Sequence, residues 1–372
     1  MSNREFKPAD ILKRKKELVQ SKALTVIRTY DTFENESGKK DVSLCENSSG
    51  EKFILRIGET RPAQFFPEGY LGEFLIIPKL IAQDNIGIPF ELEEFLEGIL
   101  ASEINSEIAG EGKIEPKLQE KLLSAFWEFQ TIGKEVNLEQ SFSMHKQSPE
   151  DESSSTGYKN RTRFIDKFVP LRVGENSFSP GHNISHTMEA IKGRLVIINN
   201  KLSGKNAKLL KNYAEIEKVI YQYQDFWNKG YPSKWKFSLD NIIITENGKV
   251  GLIDNAKIGL RYFGYDLGWL IWPLWVTMKT ESYRKINEQL KYLDDFSHKI
   301  AETAPKDYSV MDFNKYFWLM ILERIIGMYF DVVSNTKHLE RWAIGPRGNR
   351  GRTEKYLFFL ETLLNHALTK IK

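Results

Sequence analysis

The stretch from Lys234 to Asp254, KWKFSLDNIIITENGKVGLID, holds the residues whose types and spacing best suit chemistry. Asn241–Thr245 and Lys249–Ile253 are short apolar runs joined by Glu246-Asn247-Gly248, and Asn-Gly between such runs predicts a β-hairpin. A hairpin sets the start of its first strand beside the end of its second, so Asn241 and Asp254 fall at one end. An amide oxygen and a carboxylate placed together there suit Mg²⁺, a hard cation that takes oxygen ligands. The same two residues also read as polar caps on a surface hairpin, and on their own they leave both readings open.

FSLDNIII followed by GLID resembles the catalytic loop and metal-binding segment of the aminoglycoside phosphotransferase and choline kinase family, relatives of the protein kinases. The family pattern is His-Gly-Asp-x-x-x-x-Asn, a hairpin, then an apolar run ending in Ile-Asp. The resemblance implies an α+β, protein-kinase-like two-lobe fold. A small antiparallel-sheet lobe with nucleotide-covering strands and hinge would span residues 1–98. A larger, mainly helical lobe would span 99–372 and carry the hairpin at 234–254. It further implies ATP and Mg²⁺ as cofactors, with Asn241 and Asp254 as the metal ligands. One departure governs the chemistry: the family's catalytic Asp sits five residues before its Asn, and this chain has Lys236 there, with Lys234-Trp235 in place of His-Gly.

In that family the missing Asp orients the acceptor hydroxyl and takes its proton. A protonated ammonium carries donors only and cannot do this. Lys236 is therefore expected to pair with Asp254 or to meet a terminal phosphate. Pairing would set it in competition with Mg²⁺, leaving ATP and metal binding weak or absent. Of the candidate relocated bases, Asp240 should point out of the loop, and Asp225 lies near a helix end whose position relative to the loop the sequence leaves open. Two functions follow. One is a catalytically degenerate, pseudokinase-like binding or regulatory module that holds nucleotide and an unknown small-molecule or protein partner. The other is an active ATP-dependent phosphotransferase acting on a small-molecule hydroxyl.

The elements that must position these residues begin with Pro8–Val19, a short helix whose Lys/Arg cluster reads as a solvated face. Ala23–Arg28, Lys40–Cys45 and Lys52–Ile57 read as successive strands. Gly38 with Lys39 and Lys40 lies between the first two, as a plain turn or a phosphate contact. Alternation sets Ile54 and Arg56 on one face of the third strand, with Phe53, Leu55 and Ile57 on the other. By resemblance, Arg56 stands where kinases place the residue that contacts the nucleotide phosphates. Glu68–Gln83 has helical spacing broken at Pro78, and Glu73, with Glu68 as competitor, is the expected acid partner of Arg56. IGIPFELEEFLEG resembles the family's strand and hinge, which makes Glu94, Phe95 and Leu96 the backbone that would bind adenine.

Lys117–Val136 and Lys205–Trp227 carry amphipathic helical patterns, as do Ser282–Lys299, Asp312–Val333 and Arg352–Ile371. Met144–Gly157 reads as a surface loop, and no template fits the segment from there to Ser203. His182 and His186 lack a third ligand at matching spacing and are not read as a metal site. In YFGYDLGWLIW, Asp266 is expected to cap the following helix and fix the catalytic loop. Arg341, Arg347, Arg350 and Arg352 lie in a Gly-rich connector that could also bind an anion.

A chain of 372 residues suits two lobes, and its net charge of +3 is too small to argue for nucleic acid. Cys45 is the one cysteine, which excludes an intrachain disulfide and makes a reducing cytoplasm the expected location. The polar N-terminus lacks a signal-peptide core, and Leu267–Met278 is too short to span a bilayer, so it reads as a core helix.

Overall fold

The computed structural model describes residues 6–31, 41–58, 69–84, 86–135, 185–202, 212–228, 231–234, 236–255, 259–308, 311–334, 339, 342–345 and 348–372. Pro8 opens helix α1 (Pro8–Ser21), where its missing N–H costs nothing. The strands β1 (Leu24–Asp31), β2 (Asp41–Asn47) and β3 (Lys52–Ile57) follow as an antiparallel meander. Short β4 (Leu75–Ile76) comes next, then β5 (Leu80–Asp84) and β6 (Phe90–Glu94), and the main sheet runs β1-β2-β3-β6-β5. Ile11 and Leu18, two turns apart on α1, pack on one sheet face against Leu24, Cys45, Leu55, Ile57, Phe90 and Leu92. The basic residues of α1 are not all solvated: Lys15 pairs with buried Asp41 at 2.8 Å and Arg14 with Asp84 at 3.2 Å. These two pairs staple the helix to the sheet. Burial beneath α1 pushes the Cys45 thiol up to about 11, so it sits there as a small apolar group.

The helix expected over Glu68–Gln83 is not formed in its described part, residues 69–83. Tertiary contacts override the apolar spacing here. Glu128 accepts from the Tyr70 hydroxyl at 2.7 Å and from the amides of Glu73 and Phe74 at 2.9 and 2.7 Å. This leaves β4 extended, and it pairs in parallel with β10 (Val250–Leu252) of the hairpin. Pro78 then separates β4 from β5, as a residue without an N–H should.

After β6 the chain passes through β7 (Ile99–Leu100) and two single-turn helices, α2 (Ala101–Ile104) and α3 (Ser106–Ala109), into α4 (Pro116–Glu135). Helix α5 (Ser185–Leu202) occupies a stretch with no clear pattern. The long helix expected from Lys205 is two pieces within its described part, α6 (Tyr213–Gln222) and α7 (Gln224–Asn228). Strand β8 (Tyr231–Ser233) leads to the expected hairpin, β9 (Ile242–Ile244) and β10, with Val250 opposite Ile244. Gly248 turns it at φ +80°, a conformation glycine adopts freely. Strand β11 (Gly259–Arg261) pairs with β8. The chain ends in helices α8 (Tyr265–Thr277), α9 (Ile286–Glu302), α10 (Phe313–Val333) and α11 (Arg350–Ile371).

A second, larger core unites these helices with the hairpin and with Leu75 and Ile77. The chain is thus α+β, an antiparallel sheet with its own core joined to a mainly helical part. Glu323, buried on α10, accepts from Arg194 at 2.6 Å, from the Tyr262 hydroxyl at 2.9 Å and from neighbouring Arg324. Burial alone would raise its carboxyl, but Arg324 and Arg194 outweigh that and hold it below the ordinary value. In the basic connector, Arg352 binds the Val276 and Met278 carbonyls at the end of α8, at 3.0 and 2.8 Å. It therefore closes a helix terminus, while Arg341 and Arg347 lie outside the described residues. Among the described residues, no helix is long and apolar enough to cross a membrane.

Candidate functional site

The loop between β8 and β9 is fixed from below by Asp266. Its carboxylate accepts from the Ser233 hydroxyl at 2.9 Å and from the Lys234 amide at 2.7 Å. The loop-fixing role expected of Asp266 is what the geometry holds, but the capping role is not. Gly264 takes the N-cap position of α8, and no side chain caps that end. One turn of 3₁₀ helix, Leu239–Asn241, then delivers Asn241 to the start of β9. Across the hairpin end, the Ile253 amide donates to the Asn241 carbonyl at 3.1 Å, which puts Asn241 beside Asp254 as expected. Asp254 holds φ +57°, a left-handed conformation that Asp and Asn tolerate better than most residues and that recurs at functional sites.

Lys234 is fully buried, and sequence reasoning assigned it no role. Its ammonium donates to the carbonyls of Lys236 at 3.2 Å and Asp254 at 3.5 Å, tying the two ends of the site together. Burial depresses it to about 8; Asp254 and Asp266 resist that shift, while Lys236 and Arg56 add to it. The sign of its effect on stability follows. The unfolded chain keeps this proton up to about 10.5 and the folded chain only to about 8, so stability rises with pH between those values. Below about pH 8 the full penalty, about 3 kcal/mol, is present. Lys234→Met, which removes the titration, is expected to lose that much of its stability relative to the native chain between pH 7 and pH 10.5. Urea unfolding across the range checks it, and a constant difference between the two proteins would contradict it.

Lys236 Nζ lies 3.4 Å from Asp254 Oδ2, the pairing expected from sequence. Asn241 turns its Nδ2 inward, to the Lys236 carbonyl at 3.3 Å and Ser238 Oγ at 3.2 Å, so its Oδ1 is the atom left for a cation. Asp240 is exposed on the 3₁₀ turn, pointing away as expected, and Asp225 is exposed on α7. As arranged, this donor set does not fit Mg²⁺. A metal on the Asp254 carboxylate would have to share it with the Lys236 ammonium, which already lies 3.4 Å away and would repel a divalent cation. Among the described residues, no three His, Cys, Asp or Glu side chains gather as a metal site either.

Arg56 is buried on the sheet face opposite α1, as its register predicted, but its acid partner differs from the expected one. Glu73 is exposed and makes no salt bridge among the described residues; Glu68 lies outside them. Arg56 instead meets Glu91 Oε1 at 2.9 Å and Glu93 Oε1 at 3.5 Å, two buried carboxylates on adjacent β6. The β3–β6 register sets Glu91 directly opposite Arg56, so strand pairing supplies the acid and no helix is needed. The signal was present in Phe-Glu-Leu-Glu-Glu, whose alternation aims both glutamates at the face Arg56 shares.

At the hinge, the Glu94 and Phe95 amides are already bonded to the carbonyls of Lys79 at 2.9 Å and Lys52 at 3.2 Å. The Leu96 amide has no backbone acceptor among the described residues, which leaves it as the donor the hinge can offer a ligand. Its side chain lies over Gly251 of β10, where an added Cβ would come within 2.7 Å of Leu96 Cδ1. Gly98 lets the chain cross the hairpin: at φ +153°, a Cβ there would meet the Ile244 carbonyl at 2.4 Å. Gly38, Met144–Gly157 and His182 lie outside the described residues.

The chain resembles phosphotransferases of known structure. Aminoglycoside phosphotransferase APH(4)-Ia is 9% identical with a TM-score of 0.47, over 95% of this chain and 98% of that one. The macrolide 2'-phosphotransferase MphH of Brachybacterium faecium is 10% identical with a TM-score of 0.45, over 95% and 98%. The ethanolamine kinase of Plasmodium vivax is 11% identical with a TM-score of 0.41, over 95% and 84%. One structure of the first protein is a ternary complex with ADP and hygromycin B. Identities near a tenth and TM-scores below 0.5 fix neither activity nor substrate. No family model and no curated protein matches the sequence.

Proposed function

We propose that this chain is a kinase-fold protein of the aminoglycoside phosphotransferase type that binds an adenine nucleotide and lacks phosphoryl-transfer chemistry, serving as a binding or regulatory module. Its two lobes would meet at the hinge, with the nucleotide between the Arg56 face and the end of the hairpin. The observation that carries this reading is the Lys236 ammonium 3.4 Å from Asp254, at the position five residues before Asn241 where the resembled family keeps a proton acceptor. Asp266 beneath the loop, the Leu96 amide without an acceptor among the described residues and the left-handed Asp254 support the kinase-like part of the reading. The convergence of Asn241 with Asp254 favours a second reading, an active phosphotransferase acting on a small-molecule hydroxyl.

Binding is tested by titrating ADP into the protein and following its melting temperature, with Leu96→Pro as the variant that lacks the hinge donor. A rise in melting temperature is expected for the native chain, reduced in Leu96→Pro. A native melting curve indifferent to millimolar ADP and ATP would refute the nucleotide site.

A further inference from the structure

We infer that Lys236 occupies the place of the divalent cation, so that this cleft takes the phosphate tail of an adenine nucleotide without Mg²⁺. This rests on the nucleotide-binding reading above and specifies its ionic form. Three observations carry it. The Asp254 carboxylate at this hairpin end already holds an ammonium at 3.4 Å. The Lys236 side chain keeps 39% of its surface exposed, so it can serve Asp254 and a ligand phosphate together. Arg56 is buried against Glu91 and Glu93, so its charge is already balanced.

Physically, the resembled phosphotransferases need metal because two anions, a carboxylate and a phosphate, must share one site. A resident lysine screens that repulsion with a covalently tethered charge. A tethered cation is also never lost to chelation or to dilution of the metal. The cost is geometric, since an ammonium is a point charge and does not hold β- and γ-oxygens in a fixed octahedral frame. Such a site is suited to holding a nucleotide and poorly suited to aligning one for transfer.

The test is calorimetric titration with ATP, and in parallel with a non-hydrolysable analogue, in EDTA and in millimolar Mg²⁺. The native chain is expected to bind equally in both within about threefold, whereas Lys236→Ala is expected to bind metal-free ATP about tenfold more weakly and to regain about tenfold with Mg²⁺. Asp254→Asn, which releases Lys236 without adding a charge, is expected to bind metal-free ATP more tightly than the native chain. Because Lys236 is part-exposed, Lys236→Ala should not unfold the protein, and a thermal melt of each variant verifies that both are folded at the titration temperature. Native binding strengthened tenfold or more by Mg²⁺ would overturn the inference and leave the nucleotide site standing. No binding in either buffer would overturn both.

Discussion

Lys236→Asp is expected to create Mg²⁺-dependent ATP consumption that the native chain lacks. The substitution does two things at once. It removes the ammonium that opposes a metal at Asp254, and it restores an acceptor five residues before Asn241, within a loop still fixed by Asp266. A positioned base contributes about 10²–10⁴-fold to proton-transfer chemistry. Because Arg56 stays paired with Glu91 and Glu93, the lower end of that range, about 10²-fold over the Lys236→Ala rate, is the expected gain. Lys236→Ala serves as the control: it removes the ammonium without adding a base, so it should gain metal-dependent binding but little turnover. Release of ADP, measured by a coupled assay, separates the two variants. Equal rates for Lys236→Asp and Lys236→Ala would contradict the role given to this position.

Arg56→Met carries the largest expected effect on stability. Glu91 and Glu93 are 0% and 2% exposed, and Arg56 is a cation that pairs with both. Breaking a buried ion pair by removing one partner typically costs about 3–5 kcal/mol, because an uncompensated charge is left in a dry site. The melting temperature should fall accordingly. The triple change Arg56→Met, Glu91→Gln, Glu93→Gln should recover most of the loss, since it removes the orphaned charges together with their partner. Urea unfolding of the three proteins measures both effects. A triple variant no more stable than Arg56→Met would mean that Arg56 contributes through packing instead of charge.

What the sequence revealed and what it hid divide along one physical line. The hairpin and its Asn-Gly turn, the β1–β3 meander and α4 are set by local alternation, turn chemistry and helical periodicity, and each lies where the pattern put it. The inward register of Arg56 follows from the same local rules, whereas the meeting of Lys236 with Asp254 was legible only through the resemblance that aligned Lys236 with a catalytic position. Residues 69–83 went astray because their conformation is decided from outside, by Glu128 on α4 and by pairing with β10. The acid partner of Arg56 differs from the expected one for a related reason: with no helix over residues 69–83, the facing strand supplies it. Helix α5 was illegible because Gly193 and the β-branched run Val196-Ile197-Ile198 are poor helix formers. It is held by burial of Ile191, Leu195, Ile197 and Ile198 and by the Arg194–Glu323 pair, none of which is visible in the stretch itself. Lys234 was seen only as a departure from a motif; its role emerged from three-dimensional contacts with two carbonyls.

If Lys236 stands in place of a proton acceptor, the native chain should not transfer phosphate. The most direct test is ATP consumption by the native chain at stoichiometric protein and excess Mg²⁺, read over hours against a protein-free blank. The predicted result is ADP formed no faster than in the blank. Metal-dependent ADP formation by the native chain, abolished in Lys236→Ala, would contradict it.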